Sequence, residues 1–337
     1  MNIRIGNIIK TGILGAAMAV LATACSKGDD GPKGRAISFD CTAESMADIW
    51  NSRAAKTDES NIASFRVWGT WRNDDQTFIQ PFMTSQIVEK FETSWVYAPT
   101  MYAPTEGSVD FVAYSPAISA GVLSFDSGSS SYQPSIKYAV PTDLTLQEDF
   151  MVATTLRNTS STVDLDFKHM LAAFNFVAYS DLAGTSYRIH QITINNVPTT
   201  GTLSGNTSGA TATWSWGSQS GKDNYVVYPP SNALVVSGGG DQSLNPTTGS
   251  VMVLPHTATL TGSDRVYLSV RYDAISGTII KENNTLNLDL SSLGTTFAFQ
   301  EGKNYTFRIK FNSSASRSLS ASELSPAVTL EVHVSEQ

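Results

Sequence analysis

Residues 305–311 read Tyr-Thr-Phe-Arg-Ile-Lys-Phe, and this stretch decides the fold. Tyr305, Phe307, Ile309 and Phe311 alternate with Thr306, Arg308 and Lys310. A period of two puts four large apolar groups on one face of an extended chain and the polar groups on the other, as in a half-buried antiparallel strand. The same rhythm recurs upstream. Val266, Leu268, Val270 and Tyr272 alternate with Tyr267, Ser269 and Arg271, and Val163, Leu165 and Phe167 alternate with Asp164 and Asp166. Between such runs, clusters rich in Gly, Asn and Ser (126–131, 204–209, 237–241) punctuate the chain at short intervals. The pattern predicts an all-β protein of antiparallel sheets arranged as two β-sandwiches. Helices are expected only around 45–52 and 84–92. A polar stretch at 157–162 marks the expected boundary.

The composition agrees with export. Charged residues make up 15% of the 337, and 22 Lys plus Arg against 30 Asp plus Glu leave a formal charge of −8. No basic cluster interrupts the acidic balance, so nucleic acid is not an expected partner. At the start, Arg4 and Lys10 precede a short apolar run from Thr11 to Ala24, the pattern of a secretory signal peptide over 1–24. Ala22-Thr23-Ala24-Cys25 resembles a bacterial lipobox, although Leu21 stands four places before the cysteine and not three. Cys25 is therefore the expected lipidation site, and Ser26 to Asp30 a polar tether. The only other cysteine, Cys41, falls on the apolar face of Ile37-Ser38-Phe39-Asp40-Cys41, as a small buried hydrophobe would.

Motifs for catalysis are missing. Gly217 to Asp223 has the look of a phosphate-binding loop but is one residue short, with Asp223 where Ser or Thr should hold magnesium, and reads as a turn. His169, His190, His256 and His333 are scattered singly without metal-ligand spacing. No catalytic residue, metal site or cofactor is expected, and the chain is not read as an enzyme. Trp214 and Trp216 would share one strand face; they suit a sandwich core better than a sugar platform.

Taken in order, the segments at 51–71, 138–153, 163–178, 251–256 and 299–311 resemble the fimbrillin family of gut and oral Gram-negative bacteria. The more specific marks are Gln147-Glu148-Asp149, then Phe167-Lys168-His169-Met170-Leu171, then Gly302-Lys303 with Tyr305. The resemblance implies two transthyretin-like β-sandwich domains in tandem (54–161 and 162–337) behind a tether and removable strand at 25–53. It also implies a lipoprotein precursor of a pilus subunit, held at the outer membrane before processing, then joined to other pilus subunits in a surface fimbria that meets a host or bacterial surface. Fimbrillins are cut after an Arg to free an N-terminal strand; here Arg53, followed by Ala54, lies at the matching place, with Arg35 as a rival. The slot left behind is filled by another subunit's strand. A donor candidate is the chain end, where Val328, Leu330, Val332 and Val334 alternate with Thr329, Glu331 and His333. The same pattern equally suits a last strand pairing within its own domain. The rival function is a monomeric glycan-binding surface lipoprotein using Trp214 and Trp216.

Overall fold

The computed structural model describes residues 34–43, 62–117, 122–126, 133–228, 234–246, 249–312 and 327–336. The calls at Cys25, Arg53 and Ala54, and the helix at 45–52, lie outside the described residues. The strands are β1 Ser38–Ala43, β2 Ser64–Arg72, β3 Ile79–Phe91, β4 Ser94–Val96, β5 Ser108–Ser115, β6 Val122–Asp126 and β7 Gln133–Ala139. There follow β8 Met151–Asn158, β9 Thr162–His169, β10 Ala172–Ser180, β11 Thr185–Asn206, β12 Thr213–Val227, β13 Leu234–Val236 and β14 Gln242–Ser243. The chain closes with β15 Val251–Val253, β16 His256–Thr259, β17 Tyr267–Ser276, β18 Ile279–Asp289, β19 Thr296–Phe299, β20 Lys303–Asn312 and β21 Ala327–Glu336. The all-β expectation holds.

Two apolar cores organise these strands. The first sheet runs β1-β9-β8-β5-β2-β3-β4 and wraps a core that includes Phe39, Phe65, Phe111 and Phe167. The second core is larger. It lies among the sheets β14-β10-β20-β21 and β18-β17-β11-β7-β6, with Phe174, Phe176, Phe307 and Phe311 at its centre. Ring contacts knit it together, such as Phe176 stacked on Phe307 at 5.4 Å and Tyr187 on Phe311 at 4.5 Å. All four alternating aromatic and aliphatic residues of the deciding stretch are buried, whereas Arg308 and Lys310 between them keep partial exposure, as the period-two pleat places them on the other face.

Several expectations are corrected. Residues 84–92 carry Ile87, Val88 and Phe91, spaced like one face of a helix, but belong mainly to β3. Ser85 has φ of 51° and the β2–β3 register shifts opposite it, so a bulge breaks the alternation that would have revealed the strand. Gly217 to Asp223 is no turn; it runs inside β12, where the pairing with β11 shifts register between Ser220 and Gly217 and the nearby Gly221 takes φ of 68°. The sheets are also not purely antiparallel, because β1 pairs parallel to β9 and β10 parallel to β20. These parallel partners are far apart in sequence, where a crossover and not a hairpin joins them.

Sheet membership crosses the boundary expected at 161/162. β9 lies in the first sheet, while β6 and β7 join the sheet of β11. The polar stretch that suggested a linker forms the tight link between β8 and β9, where Asn158 donates its side-chain amide to the Ser160 carbonyl at 2.7 Å and the Thr162 amide donates to Ser160 Oγ at 3.1 Å.

Candidate functional site

Residues 37–41 alternate apolar and polar, and β1 accordingly turns one face inward. Ile37, Phe39 and Cys41 are buried, while Ser38, Asp40 and Thr42 face solvent. Phe39 enters an aromatic nest, edge-on to Phe65 at 5.4 Å, Tyr97 at 5.6 Å and Phe111 at 6.1 Å. Burying these three side chains contributes about 5 to 8 kcal/mol gross. Such edge-to-face contacts add about 0.5 to 1.5 kcal/mol each. Burial pushes the Cys41 thiol up to about 12, with the neighbouring Asp40 carboxylate adding to the effect. The thiol is thus neutral and unreactive in place.

The segment 35–43 is held on two sides, β1 by β9 and the residues just ahead of it by 97–103. On one side β9 pairs with it in register from Ser38 opposite Thr162 to Ala43 opposite Phe167. On the other side the extended segment 97–103 supplies backbone partners: the Ile37 amide donates to the Met101 carbonyl at 2.9 Å, and the Ala103 amide donates to the Arg35 carbonyl at 2.9 Å. Tyr97 Oη donates to the Ile37 carbonyl at 2.9 Å. Sequence reasoning found Ile37, Phe39 and Cys41 but missed Tyr97, Met101 and Ala103, because no local pattern announces a contact made across the sheet.

The outward face of the pair is less favourable. Asp40 stands opposite Asp164, and Asp166 follows two places on. Like charges at paired positions weaken strand association. Thr42 offsets part of this, donating its hydroxyl to Asp166 Oδ1 at 3.1 Å, and Ser38 Oγ donates to Thr162 Oγ1 at 3.4 Å on the same face. β1 is thus held by its apolar face and its backbone.

At the other end of the chain, β21 pairs antiparallel with β20 over its whole length, placing Val328, Leu330, Val332 and Val334 opposite Phe311, Ile309, Phe307 and Tyr305. Leu330 and Val332 pack half-buried against the larger core, whereas Val334 is 51% exposed. Arg308 grips Asp241 with its Nε at 2.8 Å and 3.0 Å and donates through Nη1 to Glu331 of β21 at 3.1 Å. Among the described residues β21 is an edge strand with β20 as its one strand partner.

The residues that carry the family resemblance converge on the structural joints. Gln147 Nε2 donates to the Pro141 and Met252 carbonyls at 3.0 Å each, and its Oε1 accepts from the Met252 amide at 2.8 Å. Asp149 pairs with His169, and the Gly302 amide, at φ of 67°, donates to the Leu171 carbonyl at 3.0 Å. These contacts tie the strands of the two cores at their ends. Among the described residues no cluster of three or more metal-ligating side chains exists.

The two tryptophans are partly buried and pack against the larger core. Trp214 Nε1 donates to Thr154 Oγ1 at 3.1 Å and Trp216 Nε1 to the Met170 carbonyl at 2.7 Å. Their six-membered rings lie so close over Gly205 and Gly201 that a Cβ at either glycine would come within about 3 Å of an indole carbon. Glycine backbone thus covers part of each indole.

A profile described as fimbrillin-like matches residues 52–330. No curated protein matches the chain. Among solved structures, a fimbrial protein from Bacteroides vulgatus is 15% identical, with 90% of this chain and 99% of that chain covered and a TM-score of 0.59. A proposed cell adhesion protein from Bacteroides uniformis is 17% identical, with coverage of 89% and 97% and a TM-score of 0.49. A match that spans most of the chain, together with the fold described above, places it: the chain belongs to the fimbrillin-like family.

Proposed function

We propose that this protein is a subunit of a bacterial surface pilus, exported as a lipoprotein on Cys25, cut after Arg53 and joined to other subunits by strand exchange. The cut separates the segment 25–53, with its lipid and β1, from the body of the chain. Loss of β1 leaves a slot with the backbone edge of β9 on one bank, Met101 and Ala103 on the other, and Phe65, Phe111 and Tyr97 at its floor. An open edge over apolar pockets is costly in water and invites an added strand, whose backbone supplies affinity and whose alternate side chains fill the pockets.

The single observation that carries this reading is the seating of Phe39. An edge strand at the front of the chain, weakened by Asp40 opposite Asp164, plugs an aromatic nest that must be refilled once it departs. The proposed donor is β21 of the neighbouring subunit. Its four alternating aliphatic residues supply about 6 to 10 kcal/mol gross before ordering costs. The stretch 313–326 that precedes it reaches about 45 Å when fully extended. The fimbrial protein of Bacteroides vulgatus, alike in fold, supports the general role.

N-terminal sequencing of the protein recovered from cell-surface fibres tests the reading. A chain beginning at Ala54 in multimeric material is the expected result. Recovery only as single, acylated chains that begin at Cys25 would overturn it.

A further inference from the structure

A pocket of about 680 Å³ lies away from both β1 and β21, between β12 on one wall and the β16–β19 ribbon on the other. The walls are pinned together, because Gln219 on β12 donates its side-chain amide to the Pro255 carbonyl just before β16. Such a volume accommodates a ligand of one or two sugar rings. The lining mixes flat apolar groups with hydroxyls and amides: Trp216 and Phe299 contribute rings, and Ser220 and Gln219 contribute polar groups.

His256 makes the site specific. Its ring packs on Phe299 at 5.4 Å, and its Nδ1 lies 2.7 Å from the Leu254 carbonyl. That contact requires the proton on Nδ1, so Nε2 carries a lone pair. Nε2 is buried and has no hydrogen-bond partner among the described residues. A buried acceptor left in this state is matched by a ligand hydroxyl.

Charge narrows the class of ligand. Lys222 is neutralised by its ion pair with Asp264, and Glu301 adds a carboxylate to the same pocket. Phosphate, sulfate and uronate groups would meet net negative charge there. A neutral, hydroxyl-rich molecule with an apolar ring face meets none.

We propose that this pocket binds a neutral saccharide, which rests on the Trp216 and Phe299 side and donates a hydroxyl to His256 Nε2. The site involves one tryptophan and shares no residue with the strand-exchange slot, so it stands or falls independently of the assembly reading.

The test is titration of the full mature chain, by intrinsic fluorescence and saturation-transfer NMR, with maltohexaose, cellohexaose, laminarihexaose, mannohexaose, chitohexaose and lacto-N-tetraose. A heparin hexasaccharide and trigalacturonate serve as acidic controls. The expected result is saturable binding of at least one neutral member, weakened about tenfold or more by His256→Phe, which keeps a ring and removes the acceptor. Ser220→Trp, an exposed position at the pocket, blocks the same binding and serves if the first variant does not fold. No binding of any neutral member at about 10 mM, binding of acidic members alone, or binding unchanged in the folded variants would each overturn the proposal.

Discussion

His169 Nδ1 lies 2.9 Å from Asp149 Oδ1, and neither side chain exposes more than 1% of its surface. The pair closes the ends of β8 and β9 where the two cores meet. Removing one member of a buried, hydrogen-bonded pair leaves the other desolvated without its partner, which costs about 3 to 5 kcal/mol. His169→Ala and Asp149→Ala should each lower stability by that order in denaturant unfolding. The double variant should lose less than the sum of the two, since contacting residues couple.

Truncating the plug should loosen the front of the chain. Phe39→Ala removes the ring that touches Phe65, Tyr97 and Phe111 and should cost about 3 to 5 kcal/mol in the uncut protein. Once the protein has been cut and β1 has left, the substitution should make no difference to the body that remains. Thermal melts of cut and uncut forms check both halves of the statement.

Cys41 offers a chemical reporter of the same event. With its thiol pushed up to about 12 by burial, alkylation by iodoacetamide at mildly alkaline pH should be slow in the intact chain. It should accelerate when β1 unseats. Rapid labelling of the folded, uncut protein would show that β1 does not stay in place.

At the chain end, Leu330→Asp puts a charge on the half-buried face of β21 opposite Ile309. Burying an unpaired carboxylate is strongly unfavourable. The variant should remain folded, because β21 is an edge strand, yet be defective in forming oligomers resistant to detergent without heating. Normal ladders on a denaturing gel would remove β21 as donor.

Acid should weaken the larger core through His256. Burial holds its imidazole below the ordinary value of 6.5, with the Lys222 charge acting in the same direction. The unfolded chain therefore takes up this proton before the folded one does. Stability is retained above about pH 6.5 and falls as the pH drops toward the lower folded value. His256→Gln should flatten that part of the stability curve, the fall that begins below about pH 6.5, as measured by urea midpoints.

Period-two alternation made the strands legible wherever one face meets water, as in β9. It faded where both faces are covered. β5 is buried along its whole length, so the sequence Ser-Val-Asp-Phe-Val-Ala-Tyr-Ser shows no alternation of exposure to read. It faded again at the bulges near Ser85 and Gly221, where an inserted residue changes which side chains point inward. The plug residues of β1 were readable from their own spacing, but the opposing bank at Met101 and Ala103 was not, because a backbone contact across a sheet leaves no mark on side-chain type. The tryptophans illustrate the same limit. Their spacing gave a shared face, and only the close approach of Gly201 and Gly205 decides what covers that face.

The parallel pairing of β1 with β9 has a consequence in time. Ser38 and Thr162 meet across a sequence separation of 124 residues, so this contact belongs to the high-contact-order events that come late in folding. The segment synthesised early is thus among the last to dock, and until it does the aromatic nest of Phe65, Tyr97 and Phe111 stands uncovered.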